Sequence, residues 1–338
     1  MGRRSRAIAS LVSVVFALSL STGIAEASNG PKSNEADTVA SAVTRVAPSQ
    51  PGTTRVPAVR SADGTFGANS GSTSISVPAD LKGQVVLRST ASSSAKELRI
   101  GLPQAGVTEA ATAATDGTIT FSATGSNASV AVQGFHGGVR VLTVLKTRDS
   151  PSRFSYLVET SARARLALQD DGSVLVFGAD GSLIGGFESP WAKDRNGVDV
   201  PTRYKVRGQT VVQVVDHRSS TIAYPVVADP FLFVDLIDHA TWVNHAGFGW
   251  TLQVSPTSWG RLNSGGYAIG AFAWDELYTK YRSHGLCCNL NGMRDQLICH
   301  WMFAFWRNTY NLDEWRPDVG FAQTVNTSCN PGGTKWFD

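Results

Sequence analysis

The sequence predicts a mainly β protein, with an N-terminal β-sandwich module followed by a small disulfide-stapled α+β domain. Three observations carry that expectation. Between residues 76 and 230, short β-branched runs alternate with Asp-Gly pairs. After residue 231 the apolar spacing also includes stretches of period three and four. All four cysteines (Cys287, Cys288, Cys299 and Cys329) and eight of the nine tryptophans fall in the last hundred residues.

Residues 1–27 have the layout of a secretory signal peptide. Arg3, Arg4 and Arg6 form a basic start, an apolar stretch runs from Ile8 to Leu20, and Ala25-Glu26-Ala27 supplies a small-residue cleavage pattern. The apolar stretch is shorter than the roughly 20 residues of a spanning helix. The chain is therefore expected to be exported, secreted or associated with the cell wall, and not to be a transmembrane protein. Residues 28–75 are rich in Ser, Thr, Ala, Pro and Gly and predict a disordered linker.

Residues 76–230 read as the sandwich. Val85-Val86-Leu87, Val139 to Val144 and Val211 to Val215 are strand-like, and Asp116-Gly117, Asp171-Gly172 and Asp180-Gly181 suit tight hairpins. His136-Gly137-Gly138 has the composition of an esterase oxyanion loop. With no G-x-S-x-G nucleophile elbow in the chain, it predicts a hairpin turn.

Residues 231–338 read as the α+β domain. Ile237 to His245 and Trp250 to Val254 alternate as two strands around Gly247 and Gly249, with Trp250, Leu252 and Val254 facing inward. A helix is expected from Ile269 to Arg282, supported by a Glu276–Lys280 pair. A second starts near Asn291 and stacks Met293, Leu297, Trp301 and Phe305. The apolar run Trp301 to Trp306 predicts a buried central helix.

In an exported chain the four cysteines predict two disulfides. Adjacent residues are too close for ordinary bridge geometry, so one of Cys287 and Cys288 is expected to reach Cys299 and the other Cys329. The lack of a C-x-x-C pair argues against zinc. His239 and His245 on one strand would stand roughly 20 Å apart, too far to share a metal. No cofactor or metal is expected. The formal charge is +3, but residues 233–338 hold seven Lys+Arg against nine Asp+Glu, which gives no basic footprint for nucleic acid.

Two resemblances add to this reading. Ser189-Pro190-Trp191-Ala192-Lys193-Asp194, Tyr204-Lys205-Val206 and Ala223-Tyr224-Pro225-Val226-Val227-Ala228-Asp229-Pro230 resemble the β-sandwich module that precedes diverse C-terminal domains in secreted actinobacterial and RHS/YD-repeat-type proteins. That resemblance implies a delivery, display or spacer role. Met293 to His300, Tyr310 to Val319, Cys329-Asn330-Pro331 and Val254 to Arg261 resemble an uncharacterised C-terminal domain of secreted actinobacterial proteins, which implies no assigned activity.

His300 is the candidate catalytic residue. It follows Cys299, Gln296 lies one helical turn earlier and could orient the imidazole, and Asp295 is near. The leading expectation is a surface or binding protein that presents its C-terminal domain to an envelope or cell-surface component. The alternative is a secreted effector or hydrolase acting through His300 and a nearby carboxylate.

Overall fold

A computed structural model of the chain describes residues 31–47, 54–70, 73–89, 96–103, 109–122, 126–161, 163–262 and 266–333. The expected signal peptide lies outside these residues. No helix among them is long and apolar enough to cross a membrane.

The chain is mainly β, as expected, and its sheets are antiparallel. One sheet of eight strands runs in the order Val59–Arg60, Phe66–Ser70, Thr73–Val77, Gln84–Ser89, Lys96–Gly101, Arg153–Thr160, Thr210–Val215, Thr202–Arg207. The second is built around the long hairpin Ala128–Phe135 and Gly138–Leu145. Beyond this hairpin lie Phe231–Phe233, Leu183–Phe187, Val174–Phe177 and Arg165–Leu168. The inward faces meet in one core. Leu87, Leu98, Ile100, Phe154, Tyr156 and Val211 come from the first sheet, and Val130, Val132, Val139, Val141, Phe187 and Leu232 from the second. This is the sandwich arrangement in which strands alternate inward apolar positions.

The three Asp-Gly pairs between residues 76 and 230 form hairpin turns. Gly117, Gly172 and Gly181 have φ near +80 to +86°, where glycine has no Cβ penalty. In each, the aspartate carboxylate accepts the backbone N–H two residues on, at Thr118, Ser173 and Ser182. The His136-Gly137-Gly138 segment is likewise a hairpin turn. Gly138 is required by packing, because a Cβ there would stand 2.4 Å from the Leu232 carbonyl oxygen.

The expected disordered linker is partly ordered. Pro31–Val46 is a helix, and Phe66–Ser70 and Thr73–Val77 are strands of the first sheet. Val39, Val43 and Val46 line one helix face and pack against Ala131, Leu142 and Val144 on the outer side of the second sheet. Ala36 and Ala40 extend the same stripe. Its small side chains kept the segment's hydropathy low, so its composition resembled a linker.

The C-terminal region packs on the outer face of the second sheet. A three-stranded sheet orders Ile237–His245, Gly249–Pro256 and Tyr310–Asp313. The helices Tyr267–Tyr281 and Leu290–Phe303 lie close to the expected positions. Their shared core joins Ile237, Leu252, Val254, Leu277, Met293, Leu297 and Trp301 to Phe177, Phe231 and Phe233 of the sandwich. Phe231–Phe233 therefore pairs within the second sheet while its phenylalanines seat the C-terminal elements. The inward face predicted for the return strand holds at Leu252 and Val254, whereas Trp250 is exposed.

Candidate functional site

The Leu290–Phe303 helix organises the C-terminal region. Asn289 precedes it in a left-handed conformation, and its amide donates to the carbonyls of Glu314 and Arg316. Met293, Leu297 and Trp301 are fully buried at i, i+4 spacing. The stripe stops there. The helix ends at Phe303, so Phe305 falls outside it and is exposed, as are Phe303 and Trp306. In the run from Trp301 to Trp306 only Trp301 is buried, Met302 and Ala304 are half-buried and the three other aromatics are exposed, which corrects the expected buried helix.

Cys299 on this helix is bridged to Cys329, with Cα atoms 5.5 Å apart. Cys287 and Cys288 do not reach either of them. They lie exposed before the helix, their sulfurs 2.7 Å from each other. The expected pairing is corrected for a geometric reason. At 1.5 Å rise per residue, Cys299 sits roughly 15 Å along the helix from the turn that holds Cys288.

The three candidate residues point three ways. Gln296 is buried, and both ends of its amide engage the backbone of Asp313. Its Nε2 donates to the carbonyl at 3.1 Å, and its Oε1 accepts the N–H at 2.8 Å. It therefore supports the strand instead of orienting His300. Asp295 lies 3.6 Å from Arg294, and burial raises its carboxyl above the ordinary range. His300 stacks on Tyr310, with ring centroids 5.7 Å apart and planes 14° from parallel. It lines a groove of about 420 Å³ with Phe303, Trp306, Arg307, Asn311 and Asn330 beside the Cys299–Cys329 bridge.

Asp313 anchors the rest of this face. Its carboxylate accepts from Thr251 Oγ1 and Arg316 Nε, both at 2.5 Å, and Arg316 reaches on to the carbonyls of Pro331 and Gly333. The segment after the disulfide is thus held by a buried, charge-assisted network.

A second charged cluster lies where the Tyr267–Tyr281 helix meets the sandwich. Glu276 accepts from Lys96 at 2.9 Å, from Lys280 at 2.8 Å, and from the backbone N–H groups of Leu236 and Ile237. Burial alone would push its pKa up, but the two lysines outweigh this and hold it well below the ordinary glutamate range. Asp235, 3.6 Å from Lys280, is pushed up by burial and by the Glu276 charge. The predicted Glu276–Lys280 i,i+4 pair is present and is buried.

A third cluster joins residues far apart in the chain. Ser70 Oγ lies 2.5 Å from His136 Nδ1, and His136 Nε2 lies 2.5 Å from Asp238 Oδ1. The other oxygen of Asp238 meets His239 Nδ1 at 2.9 Å. The His136 hairpin was legible through its glycines and His239 through its strand spacing, but nothing local joins them to Ser70 and Asp238. Among the described residues no group of three or more His, Cys, Asp or Glu side chains is placed to hold a metal.

A family profile described as "Protein of unknown function (DUF2599)" matches residues 237–332. An uncharacterized protein of Mycobacterium tuberculosis and one of Mycobacterium bovis are each 34% identical to this chain over 104 residues, which cover 30% of this chain and 68% of the relative. The chain belongs to the DUF2599 family. The DUF2599 match spans the three-stranded sheet, both long C-terminal helices, the Cys299–Cys329 bridge and the His300 groove. A glycoside hydrolase family 81 protein of Clostridium thermocellum is similar over 60% of this chain and 30% of its own, at 10% identity and a TM-score of 0.21. That likeness carries no argument about the DUF2599 domain or the sandwich.

Proposed function

We propose that this is an exported binding protein whose β-sandwich displays its DUF2599 region, residues 237–332, as a recognition domain for a polysaccharide of the cell envelope. One observation carries the reading. Phe303 and Trp306, 48% and 68% exposed, line a groove that also offers Asn311, Asn330, Arg307 and His300, and Phe305, 47% exposed, packs edge-on against Trp306. Large aromatics left in water beside a walled groove mark a contact surface. Flat rings with flanking amide and guanidinium donors suit sugar rings, which present an apolar face and a rim of hydroxyls. The helix carrying His300 and Phe303 is fixed by a disulfide and a buried stripe, so the groove is formed before binding and loses little ordering entropy.

The signal-like start and the excess of acidic over basic residues in the C-terminal region support an extracellular, non-nucleic-acid role. The YPVVADP-type module fits a display function.

Sedimentation with purified bacterial cell-wall sacculi, and in parallel with anionic phospholipid vesicles, tests the ligand class. The full-length protein is expected in the sacculus pellet and not with vesicles. Pelleting with vesicles alone would replace this reading with a membrane-surface one.

A further inference from the structure

Three segments distant in sequence meet at one point on the seam between the sandwich and the C-terminal region. Ser70 ends the Phe66–Ser70 strand, His136 occupies the turn after the Ala128–Phe135 strand, and Asp238 lies in the Ile237–His245 strand. The imidazole bridges the other two, with 2.5 Å on each side. A carboxylate accepts and never donates while ionised, so the Asp238 contact places the ring proton on Nε2. The Nδ1 lone pair then faces the Ser70 hydroxyl, which donates to it. This has the same logic as a nucleophile hydrogen-bonded to a base that a third group orients.

The parts are firmly held. The His136 N–H donates to the Thr54 carbonyl at 3.0 Å, and the hairpin strand that follows pairs Gly138 with Phe233 and Val139 with Leu232. Asp238 is pushed up by burial, but hydrogen bonds from His239 and His136 outweigh this and keep it ionised at neutral pH. The centre is also reachable. Ser70 is half-buried, and the side chains of His136 and Asp238 are 32% and 25% exposed.

We propose that Ser70, activated by His136 and Asp238, is a nucleophile that accepts an acyl group from neutral carboxylic esters. The serine oxygen attacks the carbonyl carbon as its proton passes to His136 Nδ1. The carbonyl carbon–alkoxy oxygen bond breaks, the departing alcohol takes that proton, and an acyl-Ser70 ester remains. Water then attacks this ester, again giving its proton to Nδ1. The acid leaves and the proton returns to Ser70 Oγ, so no oxidant or other co-reactant is consumed. The ionised Asp238 disfavours anionic donors, which sets the preference for neutral esters. This activity goes beyond the binding role, since it uses none of the groove residues.

The test treats the full-length protein with a fluorophosphonate probe and maps the adduct by peptide mass spectrometry, with p-nitrophenyl acetate hydrolysis as a second readout. One adduct is expected on Ser70, with loss of fluoride. Ser70→Ala abolishes the adduct and the ester turnover. His136→Gln slows adduct formation by at least about 100-fold, the usual contribution of a general base. A folded wild-type protein that gains no adduct on Ser70 overturns the proposal without recourse to any variant. Labelling of His136→Gln at the wild-type rate overturns it as well.

Discussion

Lys96 and Glu276 form a 2.9 Å ion pair that ties a strand of the sandwich to the long helix of the C-terminal region. Their side chains are 14% and 3% exposed, and Lys280 completes the cluster from within the same helix. Removing one partner of a buried pair leaves an uncompensated charge. Glu276→Gln is therefore expected to cost about 3–5 kcal/mol in urea unfolding. The pH dependence has a definite sign. The folded pKa of Glu276 lies below its unfolded value of 4.5, so its contribution is complete above that value and is lost as pH falls through the depressed one. The stability gap between wild type and Glu276→Gln should thus close on acidification below the ordinary glutamate range. A gap that stays constant there would show that Glu276 contributes by packing alone.

The buried bridge and the exposed thiols should behave as two separate systems. The Cys299–Cys329 bridge closes a loop of sequence separation 30, so its removal by Cys299→Ser with Cys329→Ser is expected to cost about 3–4 kcal/mol. Thermal unfolding measures this. Cys287 and Cys288 are exposed with adjacent sulfurs, and under mild reduction they should chelate phenylarsine oxide as a dithiol. Mass spectrometry should find one arsenical per chain, and none in Cys287→Ser.

Two tryptophans five residues apart should separate stability from recognition. Trp301 is fully buried, and Trp301→Ala is expected to cost about 3–5 kcal/mol, read by urea denaturation. Trp306 is exposed, and Trp306→Ala should leave stability within about 0.5 kcal/mol of wild type.

Gly138 should resist substitution more than its hairpin position suggests. A Cβ there would lie 2.4 Å from the Leu232 carbonyl oxygen and 2.7 Å from the Phe231 ring. Gly138→Ala is expected to cost about 1–3 kcal/mol through overpacking, again by urea unfolding.

Local signals in the chain were legible and long-range ones were not. The Asp-Gly turns, the Ile237–His245 hairpin and the Met293–Leu297–Trp301 stripe each follow from the chemistry of neighbouring residues, and all appear in the fold. The Pro31–Val46 helix was hidden because its stripe is built from Ala and Val among Ser and Thr, which composition reads as a linker. The fate of Gln296 depended on Asp313, whose free strand-end backbone took the amide expected for His300. The disulfide pairing depended on how the chain after Phe321–Asn326 returns to the helix carrying Cys299. The Ser70–His136–Asp238 contact spans sequence separations of 66 and 102, and no local pattern announces it.

The central claim is that the groove beside the Cys299–Cys329 bridge is the recognition surface. The most direct test compares the affinities of folded wild-type protein and Trp306→Ala for purified cell-wall sacculi. Loss of a principal contact residue is worth about 2 kcal/mol or more, so the variant should bind at least about 30-fold more weakly with unchanged thermal stability. Equal affinity of the two proteins would contradict the account.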